Sequence, residues 1–405
     1  MARLKGISQL GFTTQAFPRA RHSRFEHAIG VYHLTRLTLK RITDSGAYLE
    51  DREVQGALAA ALLLDAARYP YPQSIEGIAL PSIISRRELS RNLIEETEVA
   101  KVLRNEWDLE PHNVYRLVAR GGTPPRGLTP TEHLIRDILF GSLDVDMLDA
   151  LVRDSQAAGV PYGIVRVEPL IERLRIVGQD NRALMAVDEE GVGSLQSLVF
   201  SRYLIHYNLY GHYALRIPTV MFLRAVQDAL QAEAVDPFVL SEKDDAGAFI
   251  MVQDSGEAGT STAVLTKRLA ERRLYRRALE LDERHPSYAS LMRLRDDASW
   301  RRRVEEAWSR YLTRYRKGVA GPFDILIDLP ETSALTTGLR IIRQYPLPGE
   351  RNPATWQHIS GMTEDDMIRY HAPLRRIRVV TANDDLTTSV RRHAEELFTI
   401  AEEVG

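Results

Sequence analysis

The chain has 405 residues, 44% of them hydrophobic and 27% charged, and its 53 Lys and Arg against 55 Asp and Glu give a formal net charge of −2. This mix excludes a disordered or fibrous chain, and the near-neutral balance marks no nucleic-acid or membrane binder by its global field. The absence of cysteine excludes disulfides, thiolate zinc sites and cysteine nucleophiles, leaving His, Asp and Glu as the strong metal ligands.

The length allows one large domain or two smaller ones. Met1 to Leu10 lack the apolar stretch of a secretory leader, and no apolar run is long enough to span a bilayer, so a cytoplasmic location without membrane contact is expected. Residues 25–39 repeat apolar side chains at helical spacing, and 54–64 form a nearly continuous Ala- and Leu-rich run that reads as a buried helix. Pro70 and Pro72 end that helix, which puts Asp65 near its C-terminal end. Further helical patterns cover 94–107, 131–139, 144–157, 194–232 with a proline at 218, 263–281 and 299–317. Glu242 to Ser261, with the acid pair Asp244–Asp245 and several Gly and Ser, reads as a loop or domain junction, or equally as a surface hairpin.

After Gly321, short β-branched runs at 323–329 and 374–381 separated by prolines and glycines indicate a small α+β region. The expected organisation is therefore a mainly α helical core over 1–240, a junction at 241–262, and a helical extension with a small α+β region over 263–405. The Arg-dense stretches 268–277 and 301–316 are interleaved with acids at helical spacing, the pattern of solvated, ion-paired helix faces rather than of a phosphate-binding rim.

Three segments place ionisable residues among apolar helical positions. In Arg21-His22-Ser23-Arg24-Phe25-Glu26-His27-Ala28-Ile29-Gly30, Arg24 and His27 share a face. Taken alone, His27 fits a satisfied core histidine better than a ligand. In Leu62-Leu63-Leu64-Asp65-Ala66-Ala67 a carboxylate ends a buried run, which requires a cation, a metal or capping donors; a salt bridge to Arg68 would serve. In Gly141 to Ser155, Asp146, Asp149 and Arg153 share a helical face while Asp144 stands at the N-cap, and capping with ion pairing would explain them all.

Together, in order and at these separations, the segments resemble the HD-domain phosphohydrolases, most closely the SAM-and-HD-domain dNTPases and their bacterial relatives. The first is similar to that family's H-x-R-x-E-H-S-L-G stretch and the third to its L-D-x-D-x-x-D-Y-x-x-R-D-S-x-x-x-G-V stretch, including Gly159-Val160 and Tyr162-Gly163. Arg202-Tyr203-Leu204-Ile205-His206-Tyr207-Asn208-Leu209-Tyr210-Gly211-His212 resembles a fourth block, R-x-L-M-Y-x-x-V-Y-x-H. The likeness covers roughly residues 1–225, and the strand-like Asp324 to Pro330 and Pro373 to Val380 fit the family's C-terminal region. It implies His27, Asp65 and Asp146 as metal ligands, and Arg24, Arg202, Tyr210, Asp154 and Arg68 as nucleotide- or phosphate-facing groups. It also implies one divalent metal (Mn, Fe, Mg, Ni or Zn), a nucleotide or nucleotide-derived ligand, and a homo-oligomer, dimer or tetramer.

The departures fall on the metal site. The family doublet His-Asp is Leu64-Asp65 here, and leucine has no electron pair to donate. The histidines that follow the doublet in the family become Arg68 and Gln73, and a later one aligns with Arg87; Met147 and Ala150 replace a lysine and a tyrosine that bind phosphate. No catalytic residue is assigned on this likeness; Glu76, which falls at the family's glutamate after the doublet, is a candidate. The sequence therefore supports two expectations: a degenerate nucleotide-binding protein with no metal, and a metal-dependent phosphohydrolase using a reduced ligand set. A nucleic-acid scaffold is disfavoured by the charge balance.

Overall fold

Ser23 opens the first long helix, α1 (Arg24–Asp44). Its hydroxyl accepts the Glu26 N–H while the Glu26 carboxylate accepts the Ser23 N–H, a capping box of about 1 kcal/mol. α2 (Asp51–Leu63) packs on α1 through Ala57, Ala60 and Ala61, all fully buried. The chain then turns through Leu64 and Asp65 to Tyr71, whose backbone is left-handed at φ 42°, and into the one-turn helix α3 (Pro72–Ile75). This computed structural model describes all residues except 79, 180–181, 316–319, 330–337, 347, 350 and 405.

α4 (Arg86–Glu96) and α5 (Glu98–Trp107) pack on α6 (Pro111–Val118), which with α7 (Pro130–Phe140) lies against α2, and the chain continues to α8 (Val145–Ala158), which lies along α1. Asp144 caps α8 by accepting the Met147 N–H at 2.6 Å. After α9 (Val167–Glu172), β1 (Leu174–Gln179) and β2 (Arg182–Asp188) form an antiparallel hairpin. α10 (Val192–Ile205) runs through a π-helical turn at His206–Tyr210 into α11 (Tyr213–Gln231), which is followed by α12 (Pro237–Glu242), α13 (Asp245–Asp254) and α14 (Ser261–Ala270).

The C-terminal part carries β3 (Arg276–Leu281), α15 (Tyr288–Met292), α16 (Ala298–Tyr315), β4 (Ile325–Asp328), β5 (Arg340–Ile342), β6 (Ala354–Thr355), α17 (Trp356–Ser360), α18 (Glu364–His371), β7 (Ile377–Thr381), α19 (Asp384–Arg392) and α20 (Ala394–Glu403). β7 lies between β3 and β4, antiparallel to both, with Ile325 opposite Thr381 and Arg276 opposite the same residue. β5 joins the β1–β2 hairpin, running parallel to β2. One apolar core gathers around α1, α2 and α8, a second around Met221 and Phe222 of α11, and a third around Trp308 and the inner face of the β3–β7–β4 sheet. The fold is mainly α with a small α+β C-terminal region, as expected.

Several expectations need correction. The helix read over 263–281 stops at Ala270; Arg272 is left-handed at φ 55°, which reverses the chain so that 276–281 pair as β3. Residues 94–107 are two helices, because Thr97 is extended and caps α5 with its own hydroxyl. The π-turn and His212 divide 194–232. Residues 242–261, read as a loop or junction, contain α13, and the second acid, Asp245, is buried. The Arg-dense stretches are not uniformly solvated: Arg301 is buried and donates to Gln227 Oε1 at 3.0 Å, while Arg302 pairs with Asp228 at 2.6 Å. Arg316, Lys317 and Pro330, which close expected elements, lie outside the described residues.

Candidate ligand site and metal centre

α1 presents Arg24 and His27 one turn apart, both buried, and the turn after α2 brings Asp65 against them. α8 supplies Asp146 and Asp149 from its inner face. At Gly30 a Cβ would stand 1.8 Å from Asp149 Oδ1 and 2.3 Å from Arg153 Nη2, so any side chain there would displace the Asp149–Arg153 pair. His27 Nδ1 lies 2.8 Å from Asp149 Oδ2 and Nε2 lies 2.9 Å from Asp146 Oδ1, with Asp65 Oδ2 at 3.8 Å.

Arginines also bind these carboxylates. Asp65 Oδ2 accepts from Arg24 Nη1 at 2.7 Å, and Oδ1 accepts from Arg68 Nε at 2.9 Å and Arg86 Nη2 at 2.5 Å. Asp146 Oδ2 accepts from Arg120 Nη1 at 2.8 Å, and Asp149 is bound by Arg153. Burial disfavours charge on the Asp65 carboxylate, but Arg68, Arg86, Arg24 and His27 outweigh it and hold the group well below the ordinary range. Burial likewise opposes protonation of His27, yet its bonds to Asp146 and Asp149 raise its pKa to about 9. Asp144 is pushed up to about 7 by burial and by Asp146.

These positions decide how a resident divalent metal would fit. One ligand atom each from His27, Asp65 and Asp146 lie within 4.8 Å of one another, so the three residues converge as the sequence implies. The donor set does not otherwise suit a metal. Leu64 is buried and has no donor atom, both Asp65 oxygens accept guanidinium protons, and each ring nitrogen of His27 faces a carboxylate. A metal requires a neutral imidazole and free carboxylate lone pairs. Protein cations stand where metal charge would be needed.

Beside this cluster opens a cavity of about 340 Å³. Arg24, Asp154, His206 and Tyr210 line it from the helical core, and His371 and Arg378 line it from the C-terminal part. Asp154 accepts from the Tyr210 hydroxyl at 2.5 Å and pairs with His22 Nε2 at 2.7 Å. Arg202 stands close to Asp144 and Tyr210; burial lowers its pKa and those two groups raise it back in part. His206 and His371 are held neutral, their pKa values lowered to about 3 and about 4, by burial first and by nearby arginines second. Gln9 and Gln73 also line the cavity, and the side-chain oxygen of each is buried with no hydrogen-bond partner among the described residues. The π-turn that carries His206 and Tyr210 is a form common at functional sites.

Of the sequence-derived candidates, His27, Asp65 and Asp146 meet in the ion-pair cluster, and Arg24 bridges that cluster to the cavity. Tyr210 and Asp154 bond each other in the cavity wall. Glu76 and Arg68 pair at 2.7 Å within the cluster and do not line the cavity. Sequence reasoning missed Arg86, Arg120 and His22. It chose Arg87, but Ser85 caps α4 and sets the helix phase so that Arg86 points inward while Arg87 binds the carbonyls of Gly121 and Thr123 at 2.8 and 2.6 Å. Arg120 follows α6 in a glycine-rich turn with no periodic signal, whereas His22 stood inside the first segment and its buried pairing could have been inferred there.

Residues 165–337 match the HD-associated region, a family description that covers less than half of the chain. The chain is 28% identical over 230 residues to the uncharacterized protein YwfO of Bacillus subtilis, covering 56% of this chain and 50% of that one. It is 27% identical over 264 residues to the deoxynucleoside triphosphate triphosphohydrolase SAMHD1 homolog of Dictyostelium discoideum, covering 62% of this chain and 48% of that one. The chain spans about half the length of the curated relatives it matches. A phosphohydrolase from Bacteroides thetaiotaomicron shares the fold at TM-score 0.68 and 18% identity, over 95% of this chain and 93% of that one. A hypothetical protein from Aquifex aeolicus does so at TM-score 0.68 and 20% identity, over 98% and 92%. The matched family description and the named relative support kinship with the HD-domain phosphohydrolase superfamily, and the two solved structures show the fold alone. Among the described residues, no helix is long and apolar enough to cross a membrane.

Proposed function

We propose that this protein is a dNTPase-like HD-domain protein whose metal centre has become an internal ion-pair cluster, and that it binds a nucleotide or nucleotide-derived ligand in the adjacent cavity. Its role on this reading is regulatory or structural, with little or no hydrolase activity, and it acts as a homo-oligomer. The observation that carries the reading is Asp65, whose two oxygens are taken by Arg24, Arg68 and Arg86 beside a leucine. Hydrolysis of a phosphate ester in this superfamily calls on a bound metal to polarise the phosphate and acidify water, and arginines already bind the Asp65 and Asp146 carboxylates that such a metal would share.

The cavity supports the binding half of the reading. Arg24 places a cation at its edge, the His206 and His371 rings offer neutral faces, and the Gln9 and Gln73 oxygens offer acceptors to amino or hydroxyl groups. The kinship with proteins named deoxynucleoside triphosphate triphosphohydrolases is the reason for naming nucleotides. Isothermal titration of the full chain against dNTPs, NTPs and cyclic or linear oligonucleotides tests it. Binding of a nucleotide that weakens in Arg24→Ala is expected, and no binding across the set sinks the nucleotide reading.

A second reading, a working metal-dependent phosphohydrolase, is favoured by the convergence of His27, Asp65 and Asp146 within 4.8 Å. It requires Arg68, Arg86 and Arg120 to leave the carboxylates. On that reading Asp146→Ala abolishes nucleotide turnover; turnover that survives the substitution removes it.

A further inference from the structure

The acid pair Asp244–Asp245 has no part in the ligand reading, yet it starts α13, with Asp244 half-buried and Asp245 buried, where the sequence suggested a loop, a domain junction or a surface hairpin. Asp244 caps α13 by accepting the Gly247 N–H at 2.8 Å. Asp245 is buried and uses each oxygen on a different distant segment: Oδ2 accepts the Ser8 N–H at 2.9 Å, and Oδ1 accepts the Tyr71 N–H at 2.8 Å. Both segments form the cavity wall. Ser8 precedes Gln9, and Tyr71 lies two residues before Gln73.

The two segments are also tied to each other. Gln73 Nε2 donates to the Gln9 carbonyl at 2.8 Å, Arg24 Nη2 donates to the same carbonyl at 3.2 Å, and Phe12 stacks on Tyr71 with ring centroids 4.5 Å apart. Arg3 extends the tie, donating to the Lys243 carbonyl at 2.9 Å and to the Ala66 and Arg68 carbonyls at 2.8 Å each. The N-terminal strap passes α13 so closely that a Cβ at Gly6 would stand 2.6 Å from Asp244 Oδ2. Tyr71 holds a left-handed backbone without being glycine, a conformation that persists only where the surroundings enforce it.

We propose that Asp245 is a positioning residue: its carboxylate clasps Ser8 of the N-terminal strap to the Tyr71 turn and so sets Gln9 and Gln73 in the wall of the ligand cavity. The structural clasp stands on the geometry, and its consequence for affinity rests on the nucleotide reading given above. A carboxylate suits the task because both incoming groups are N–H donors and each needs an acceptor. Asparagine offers one such oxygen and alanine none. The order of effect is therefore alanine greater than asparagine, and because asparagine matches aspartate in size, raised exchange in Asp245→Asn separates a lost acceptor from lost bulk.

The test compares the full-length wild type with Asp245→Asn and Asp245→Ala by amide hydrogen exchange, thermal melting and titration with dGTP. Exchange at the Ser8 and Tyr71 amides should rise about tenfold or more in Asp245→Ala and less in Asp245→Asn, with α1 amides unchanged, as loss of a buried hydrogen bond implies. Affinity for dGTP should fall in the same order, by about tenfold in the alanine variant. Unchanged exchange at both amides, or raised exchange with unchanged dGTP affinity, overturns the proposal. If Asp245→Ala does not fold, the asparagine variant decides by the same comparison. A wild type that ignores dGTP removes dGTP as the ligand of the nucleotide reading, while amide exchange at Ser8 and Tyr71 still decides whether Asp245 clasps the two segments.

Discussion

Arg86 donates to the Asp65 carboxylate at 2.5 Å and, through the same nitrogen, to the Leu64 carbonyl at 2.7 Å. One guanidinium thus grips both Leu64 and Asp65, and Arg24 and Arg68 complete the ring of cations around a buried carboxylate. Removing the carboxylate takes a shared buried acceptor from three arginines, which among the described residues keep only the Gln9 carbonyl, the Glu76 carboxylate and the Leu64 carbonyl, so Asp65→Ala should cost about 3–5 kcal/mol of unfolding free energy by denaturant titration, the range for breaking a buried pair from one side. A loss below about 1 kcal/mol would mean that the cluster is solvated and interchangeable, like a surface pair.

Asp144 holds the start of the helix that carries Asp146 and Asp149. Its side chain accepts the Met147 N–H at 2.6 Å, so Asp144→Ala should lose about 1 kcal/mol, while Asp144→Asn, which keeps the acceptor, should lose a few tenths at most. Equal losses in the two variants would show that the charge and not the cap matters.

In the cavity wall the Tyr210 hydroxyl donates to Asp154 at 2.5 Å. Tyr210→Phe leaves Asp154 with His22 alone and should cost about 1–3 kcal/mol in stability or ligand affinity, the penalty for a buried acceptor that loses a donor. Calorimetric melting and nucleotide titration of the variant read both. A neutral outcome in each would put Asp154 outside the ligand wall.

His206 is held neutral, its pKa lowered from 6.5 to about 3 by burial and by Arg202 and His371. Its unfolded form takes up a proton below about pH 6.5 and the folded form does not. Stability is thus present above that pH and lost as pH falls toward the folded value. The melting temperature should decline from pH 6.5 to 4, and less steeply in His206→Gln. Identical slopes would assign the acid sensitivity elsewhere.

Most of the helices could be read from the sequence because apolar spacing and caps agree. Ser23 with Glu26, and Asp144 before an amphipathic run, announce α1 and α8, and the β-branched run at 377–381 announces β7. What could not be read depended on tertiary pairing. Residues 276–281 keep a helix-like pattern and become a strand only because β7 lies alongside them, and α13 was hidden by glycines and serines near a buried acid. At the site, it was the resemblance of their segments to the HD-domain phosphohydrolases, and not spacing or burial alone, that grouped His27, Asp65 and Asp146. The choice of Arg86 over Arg87 turns on helix phase, and the contribution of Arg120 on a turn with no local signature.

Metal content tests the central claim most directly. The wild type, Leu64→His, and Leu64→His combined with Arg68→Ala and Arg86→Ala would each be loaded with Mn, Fe, Zn, Ni or Mg, desalted and analysed by mass spectrometry. The ion-pair account predicts little retained metal in the wild type and in Leu64→His, because Arg68 and Arg86 still hold Asp65, and a gain only when those arginines are removed as well. Stoichiometric metal in the wild type would contradict it.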